Sequence, residues 1–434
     1  LISGSKSRKM GGANIIVMSQ VDKSYELAKE RYAAFGVDTE AALKKLATVP
    51  ISLNCWQGDD VGGFEVKDDA SCGDMTVTGS YPGRARTSAE LRADFEKACS
   101  LIPGKHRLNL HACYMDVGKK VDRNEMGPEH FQSWIDWAKG LGIGLDFNPT
   151  YFSHPKVAGG LTLSSPDKGI RQFWVEHGIA SREIGAAFGK ALGTPAVTNQ
   201  WIPDGMKDTP ADRKCFRELL VDSLDKVFAK KIDPKFNLDT VEGKLFGVGA
   251  ESFTVGSHEF YFGYAVKNNI LVTLDSGHYH PTETISDKIS SYLPFLNEIM
   301  LHVSRGVRWD SDHVVTLTDD LLAIAQELVR GDYLSRTHIG TDFFDASINR
   351  LAAWVIGTRN ILKALMIAML EPTDMLRKYE VEGNYTDRLA LMEELKTMPY
   401  ADVWNYYCES KGVPVGIAWM DEIKKYEKDV LFKR

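Results

Sequence analysis

The chain has 434 residues, 44% hydrophobic and 26% charged, ordinary proportions for a folded protein that buries a large core. A net charge of -7 does not favour nucleic acid, and no apolar run reads as long enough to span a membrane. The six cysteines (Cys55, Cys72, Cys99, Cys113, Cys215 and Cys408) lie far apart with no C-x-x-C pair, which argues against a zinc ribbon or a disulfide framework and for buried free thiols in a reducing cytoplasm.

Residues 1–17 are polar and Gly/Ser/Lys-rich, and Ile15-Ile16-Val17 is too short for a signal-peptide core. They read as a tail, left from cloning or disordered, with a native extension as the alternative. Tyr25 to Val49 has helical periodicity. Ile51 to Trp56 is a strand running into Gln57-Gly58-Asp59-Asp60. The Gly- and Asp-rich segment Gly58 to Arg86 lacks periodicity, and a loop of that length is expected to cover a site or an interface. Thr87-Ser88-Ala89-Glu90 fits a capping box opening a helix.

Strands and helices then alternate. Strands are expected at Arg107–His111, Ile143–Asn148, Ala196–Ile202, Thr240–Phe246, Ile270–Leu274, Met300–Val303 and Thr337–Gly340, with helices at Pro128–Gly142, Asp167–Leu192, Asp212–Lys230, His258–Val266, Ser286–Ile299 and Asp319–Arg330. This alternation predicts an α/β protein, a (β/α)8 TIM barrel over residues 18–350 with an N-terminal helix. From about Ile348 strand patterns vanish, and residues 351–434 read as a helical C-terminal extension that packs on the barrel or on a neighbouring subunit. No G-x-G-x-x-G or G-x-x-x-x-G-K-[ST] opens a helix, so no nicotinamide or nucleotide is expected.

The chemistry concentrates between Val272 and Asp312, where Asp275, His278, His280, His302, Asp310, Asp312 and (just beyond) His313 follow the ends of apolar runs. Taken singly, each is as readily a capping or surface residue. Together with Glu242 and Asp342 they place carboxylates and imidazoles after four late strands, as barrel active sites are built. Glu242, Asp275, His302 and Asp342 can surround one divalent ion, and His278, Asp310 and Asp312 a second. Such oxygen-rich sets suit Mn²⁺, Mg²⁺ or Co²⁺. Period-two alternation puts Glu242 and Lys244 on one strand face, where a cation and a polar substrate offset the charge. Trp56, Phe147 and Trp201 near strand ends, with His111, suggest flat apolar walls and polar contacts suited to a sugar. Trp134, Trp137 and Trp354 lie on helical patterns and read as core.

The segments C-W-Q-G-D-D-V (55–61), Y-P-G-R-A-R (81–86), L-D-F-N-P (145–149), W-I-P-D-G-M-K-D (201–208), G-A-E-S-F-T-V-G-S (249–257), H-V-S-R-G-V-R-W-D-S-D-H-V-V (302–315) and H-I-G-T-D-F-F-D-A-S-I-N-R (338–350) carry a resemblance to the L-rhamnose isomerases, covering the chain from about Ser24 onward. The resemblance implies an aldose–ketose isomerase converting L-rhamnose to L-rhamnulose, the first step of rhamnose catabolism, with two manganese ions per subunit, in a cytoplasmic homotetramer without membrane or nucleic-acid partners. By position it assigns the catalytic cation to His278, Asp310 and Asp312, and the structural cation to Glu242, Asp275, His302 and Asp342. It makes Lys244, Asp310 and Asp312 catalytic, and puts Trp201, His111 and Lys244 against the substrate. Glu251 is a second carboxylate near the fifth strand; the E-x-K pattern favours Glu242. The mechanism implied is a 1,2-hydride shift, the O2 proton leaving to a base held by Asp310 or Asp312, with proton transfer through an enediol as the competing route. A barrel phosphodiesterase would want more cationic residues than Lys244, Arg305 and Arg308, and a non-catalytic sugar-binding protein would not explain so many buried carboxylates.

Overall fold

A computed structural model describes residues 18–66, 79–245, 252–307 and 313–434. The N-terminal tail, Cys72, Glu251, Arg308, Asp310 and Asp312 lie outside the described residues. Among the described residues ten strands occur in chain order: β1 Pro50–Asn54, β2 Lys105–His111, β3 Gly144–Asn148, β4 Ala196–Trp201, β5 Gly205–Met206, β6 Asn237–Glu242, β7 Phe253–Thr254, β8 Leu271–Asp275, β9 Ile299–Val303 and β10 Thr337–Thr341. Eight of them close a parallel barrel in the order β1-β10-β9-β8-β6-β4-β3-β2, while β5 and β7 form a small antiparallel ribbon outside it. The expected (β/α)8 barrel is therefore the fold. The strands are buried along nearly their whole length, because helices cover the outside and side chains fill the inside.

The helices are α1 Gln20–Ala33, α2 Thr39–Leu46, α3 Ser88–Cys99, α4 Gln132–Leu141, α5 Lys168–Leu192, α6 Arg213–Val227, α7 His258–Asn268, α8 Ile285–Tyr292, α9 Asp319–Arg330, α10 Arg350–Met369, α11 Thr373–Val381, α12 Tyr385–Leu395, α13 Tyr400–Ser410 and α14 Trp419–Asp429. The single helix expected over Tyr25–Val49 is two, parted at Gly36, which takes φ of +76°. The capping box at Thr87 is half made. Thr87 accepts from the Glu90 amide, but the Glu90 carboxylate turns to the Arg86 amide at 2.8 Å and to its guanidinium. By length and hydropathy α10 could cross a membrane, which the sequence reading overlooked. Yet 78% of its apolar window is buried inside the protein, so it is a core helix. It packs between α9 and α3 and completes the ring around the barrel. The later helices fold back, with Tyr406 of α13 stacked on Tyr25 of α1 and Arg434 bound to Asp94 of α3 at 2.6 Å.

The barrel interior is layered. At its N-terminal end Val197, Leu238, Leu271 and Met300 form a small apolar cluster of their own. Above it the layer turns polar: Thr240 bonds Thr273 at 2.9 Å, and Thr273 donates to Asn199 at 2.9 Å. Asn199 in turn donates to the Glu242 carboxylate. The uppermost layer, at the C-terminal strand ends, holds the site. There the register sets His111 beside Asn148, Trp201 beside Glu242 and Asp275 beside His302.

Candidate metal centre and adjoining cleft

Glu242, Asp275, His302 and Asp342, from the ends of four neighbouring strands, bring one ligand atom each to within 4.8 Å of one another. The two strand-end carboxylates each have one oxygen tied back. Glu242 Oε2 accepts from Asn199, and Asp275 Oδ1 accepts from the Gly277 amide at 2.6 Å and the Ser304 hydroxyl at 3.2 Å. Glu242 Oε1 and Asp275 Oδ2 are left without a hydrogen bond, as are both ring nitrogens of His302. His302 Nδ1 stands 3.3 Å from Glu242 Oε2, 3.5 Å from Asp342 Oδ2 and 3.8 Å from Asp275 Oδ2. His278 joins the group, with Nδ1 2.9 Å from Glu242 Oε1 and Nε2 3.7 Å from Asp275 Oδ2, again without hydrogen-bond alignment. Lone pairs that crowd together yet do not bond each other fit ligands facing a shared cation.

The electrostatics agree. Burial, then the Glu242 charge, pushes the Asp275 carboxyl up to about 7, and burial with Asp275 beside it raises Asp342 well above the usual carboxylate range. Burial disfavours charge on His302 too, but Glu242, Asp342 and Asp275 outweigh it and raise the imidazole to about 9. The same histidines, outweighing burial, hold Glu242 well below its ordinary value. Three carboxylates in a dry pocket need positive charge among them, and a divalent cation supplies it in place of protons.

Beside this group opens a cleft that continues into open solvent. Trp56, Val61, His111, Phe152, Trp201 and Lys244 are among its lining residues. Lys244 does not share a strand face with Glu242, because β6 ends at Glu242. Gly243 breaks the strand there; a Cβ on it would fall 2.7 Å from His258 Nδ1. Lys244 reaches the cleft from the irregular segment that follows, its ammonium over the Trp201 ring. His111 is buried, and burial with the Arg123 charge lowers its imidazole to about 3, so it is neutral.

Not every expected residue arrives. Phe147 points outward and packs edge-on against Phe131 and Phe188, since the neighbouring His111 and Asn148 take the interior positions. His280 bonds Thr282 at 2.7 Å and stays away from the four ligands. His313 is exposed, with its backbone paired to Arg305. Trp134 and Trp354 are fully buried core. The described part of the Gly58–Arg86 loop does reach the site, through Val61. The sequence reading missed Phe152, Phe344 and Asn148, which line the cleft from loops and a strand end, and Arg123. Arg123 donates to the Thr150 and Phe152 carbonyls and pairs with Glu65 at 2.7 Å, bracing two cleft loops together. No periodicity marks such a residue.

A sequence profile of the L-rhamnose isomerase (RhaA) family matches residues 19–434. The chain is 59% identical to an L-rhamnose isomerase of Rhodopirellula baltica, over 95% of this chain and 97% of that one. It is 58% identical to the L-rhamnose isomerase of Listeria innocua, over 96% and 99%, and 58% identical to that of Mannheimia succiniciproducens, over 96% and 100%. Among solved structures, an L-ribulose 3-epimerase covers 71% of this chain and 98% of its own at 14% identity, with a TM-score of 0.45.

Proposed function

The chain belongs to the L-rhamnose isomerase family, and on that premise we propose that it interconverts L-rhamnose and L-rhamnulose at the mouth of the barrel with two divalent cations, manganese by preference. The observation that carries this reading is the convergence of Glu242, Asp275, His302 and Asp342, with unbonded lone pairs, next to an aromatic-walled cleft. Those four hold the structural cation; Glu242, buried among them, fills the role for which Glu251 was the alternative. His278, with Asp310 and Asp312, holds the catalytic one.

Once bound, the cations supply Lewis-acid polarisation of the sugar oxygens at C1 and C2. The chain does the rest. Trp201, Trp56 and Phe152 offer flat apolar faces to the sugar's C–H groups and keep bulk water from the reacting carbons. His111 bonds a hydroxyl. A base held by Asp310 or Asp312 would take the O2 proton, hydride would pass from C2 to C1 with the Lys244 ammonium facing the negative charge growing on O1, and the proton would return to O1. A phosphate-ester substrate is disfavoured, since among the described lining residues Lys244 is the one permanent cation.

In the cell this is the entry step of rhamnose catabolism, in the cytoplasm. A homotetramer using the helical extension is supported by the apolar residues that α11 and α12 leave outside, with Val381 90% exposed and Leu389 59% exposed. The test is turnover of an aldose panel with Mn²⁺, including L-rhamnose deuterated at C2. Rhamnulose that keeps the label at C1 is expected. Complete washout into water replaces the hydride shift by the enediol route, and absence of any rhamnulose sinks the reading.

A further inference from the structure

Six non-glycine residues among the described ones adopt φ between +51° and +60°. Asn269 and Asp332 do so just past helix ends, where Asn and Asp tolerate it. The other four, Asp60, Val61, Thr150 and Ser153, sit on the two loops beside the cleft. Thr150 is the one whose side chain explains the strain. Asn148 Oδ1 accepts from the Thr150 amide at 3.1 Å across Pro149, forming a tight corner. Thr150 takes φ of +60° there, which glycine or asparagine adopts at little cost and a β-branched residue does not. A guanidinium nitrogen of Arg123 holds the Thr150 carbonyl in place.

The Thr150 hydroxyl is fully engaged. It accepts from the Ala112 amide at 3.0 Å, lies 3.4 Å from the Asn148 carbonyl oxygen, and stands 2.9 Å from His111 Nδ1. An amide can only donate and a carbonyl can only accept. One lone pair of the hydroxyl thus serves the Ala112 amide, and the 2.9 Å contact ties the same hydroxyl to His111 Nδ1. Edge-on packing of Trp56, centroids 4.5 Å apart, and of Phe152 at 5.8 Å fixes the ring plane. His111 Nε2 then makes no hydrogen bond among the described residues, on a ring that lines the cleft.

We propose that Thr150 is a positioning residue for the isomerisation: its hydroxyl fixes His111 through Nδ1 and presents Nε2 to the cleft to hydrogen-bond a sugar hydroxyl. The strained corner is retained because glycine, which would relax it, cannot make that bond. The inference rests on the reading that the cleft receives the sugar.

Three substitutions test it in the manganese-loaded enzyme. Thr150→Val keeps the shape and branching and loses the hydroxyl. Thr150→Gly loses the hydroxyl and the strain together, and so folds even where the valine variant does not. Thr150→Ser restores the hydroxyl. The valine and glycine variants are expected to bind wild-type amounts of manganese yet lose about tenfold or more in kcat/KM on L-rhamnose, while the serine variant stays within about threefold of wild type. Wild-type kinetics in the glycine variant, a serine variant as impaired as the glycine one, or manganese lost along with activity would each overturn the role of the hydroxyl while leaving the isomerase reading intact. A wild-type enzyme inert toward rhamnose overturns that reading, and this inference with it.

Discussion

Lys244 holds its ammonium 5.4 Å from the centre of the Trp201 ring. The pair joins the two demands the cleft makes on the chain. Trp201 ends β4 and is fixed by the sheet, whereas Lys244 lies past the end of β6. The aromatic face helps to steady a buried positive charge. The lysine thus waits as a cation beside a group of carboxylates without collapsing the strand geometry.

Replacing Lys244 with methionine should cut kcat by about 10²–10³ while leaving the melting temperature nearly unchanged, because the side chain serves charge rather than packing. Trp201→Ala should instead raise KM, through loss of an apolar face. Steady-state kinetics on L-rhamnose, beside a thermal melt, separate the two.

Exhaustive chelation should abolish turnover, and added Mn²⁺ should restore it. Because the ions bind the folded chain and not the unfolded one, loading to a hundredfold above Kd should stabilise by about 2.7 kcal/mol per site. Calorimetry of chelated and reloaded protein checks the sign. A chelated sample that turns over rhamnose at full rate would remove the metal from the reaction.

Asp342→Asn and Asp310→Asn should differ. The first takes a ligand from the four-residue group at the strand ends, so it lowers the melting temperature of the loaded protein and weakens metal affinity. The second should cut turnover by about a hundredfold or more with the fold unchanged. The reverse pattern would mean the two cation sites are exchanged.

Asp59 offers a pH test away from the metal ligands. Burial pushes its carboxyl up to about 7, despite hydrogen bonds from Tyr114 and the Gly63 amide. The folded pKa lies above the unfolded value near ~4, so the folded state favours the protonated form. That stability is fully present below pH ~4 and is lost as pH rises towards 7. Asp59→Asn should match wild type near pH ~4 and exceed it at pH ~8 by about 2–4 kcal/mol. Denaturant melts across that range measure the difference.

The barrel was readable because parallel strands buried on both faces leave short apolar runs punctuated by polar strand ends. Asp275 and His302 stood out for the same reason: each closes such a run. Lys244 was read onto the wrong structural element, since nothing local in T-V-E-G-K-L-F says that Gly243 must yield to His258. Phe147 was misread because alternation gives two faces and does not say which one looks inward; that depends on register with β2. Arg123, Thr150 and Phe152 escaped notice because their importance lies in contacts between loops far apart in the chain.

The apolar plug of Val197, Leu238, Leu271 and Met300 stoppers the far end of the barrel. Among the described residues, ions and sugar therefore meet the site from the same polar end of the barrel. A seated sugar would bar the exit of the cations beneath it, so chelators should strip the enzyme more slowly when it is saturated with rhamnose than when it is empty.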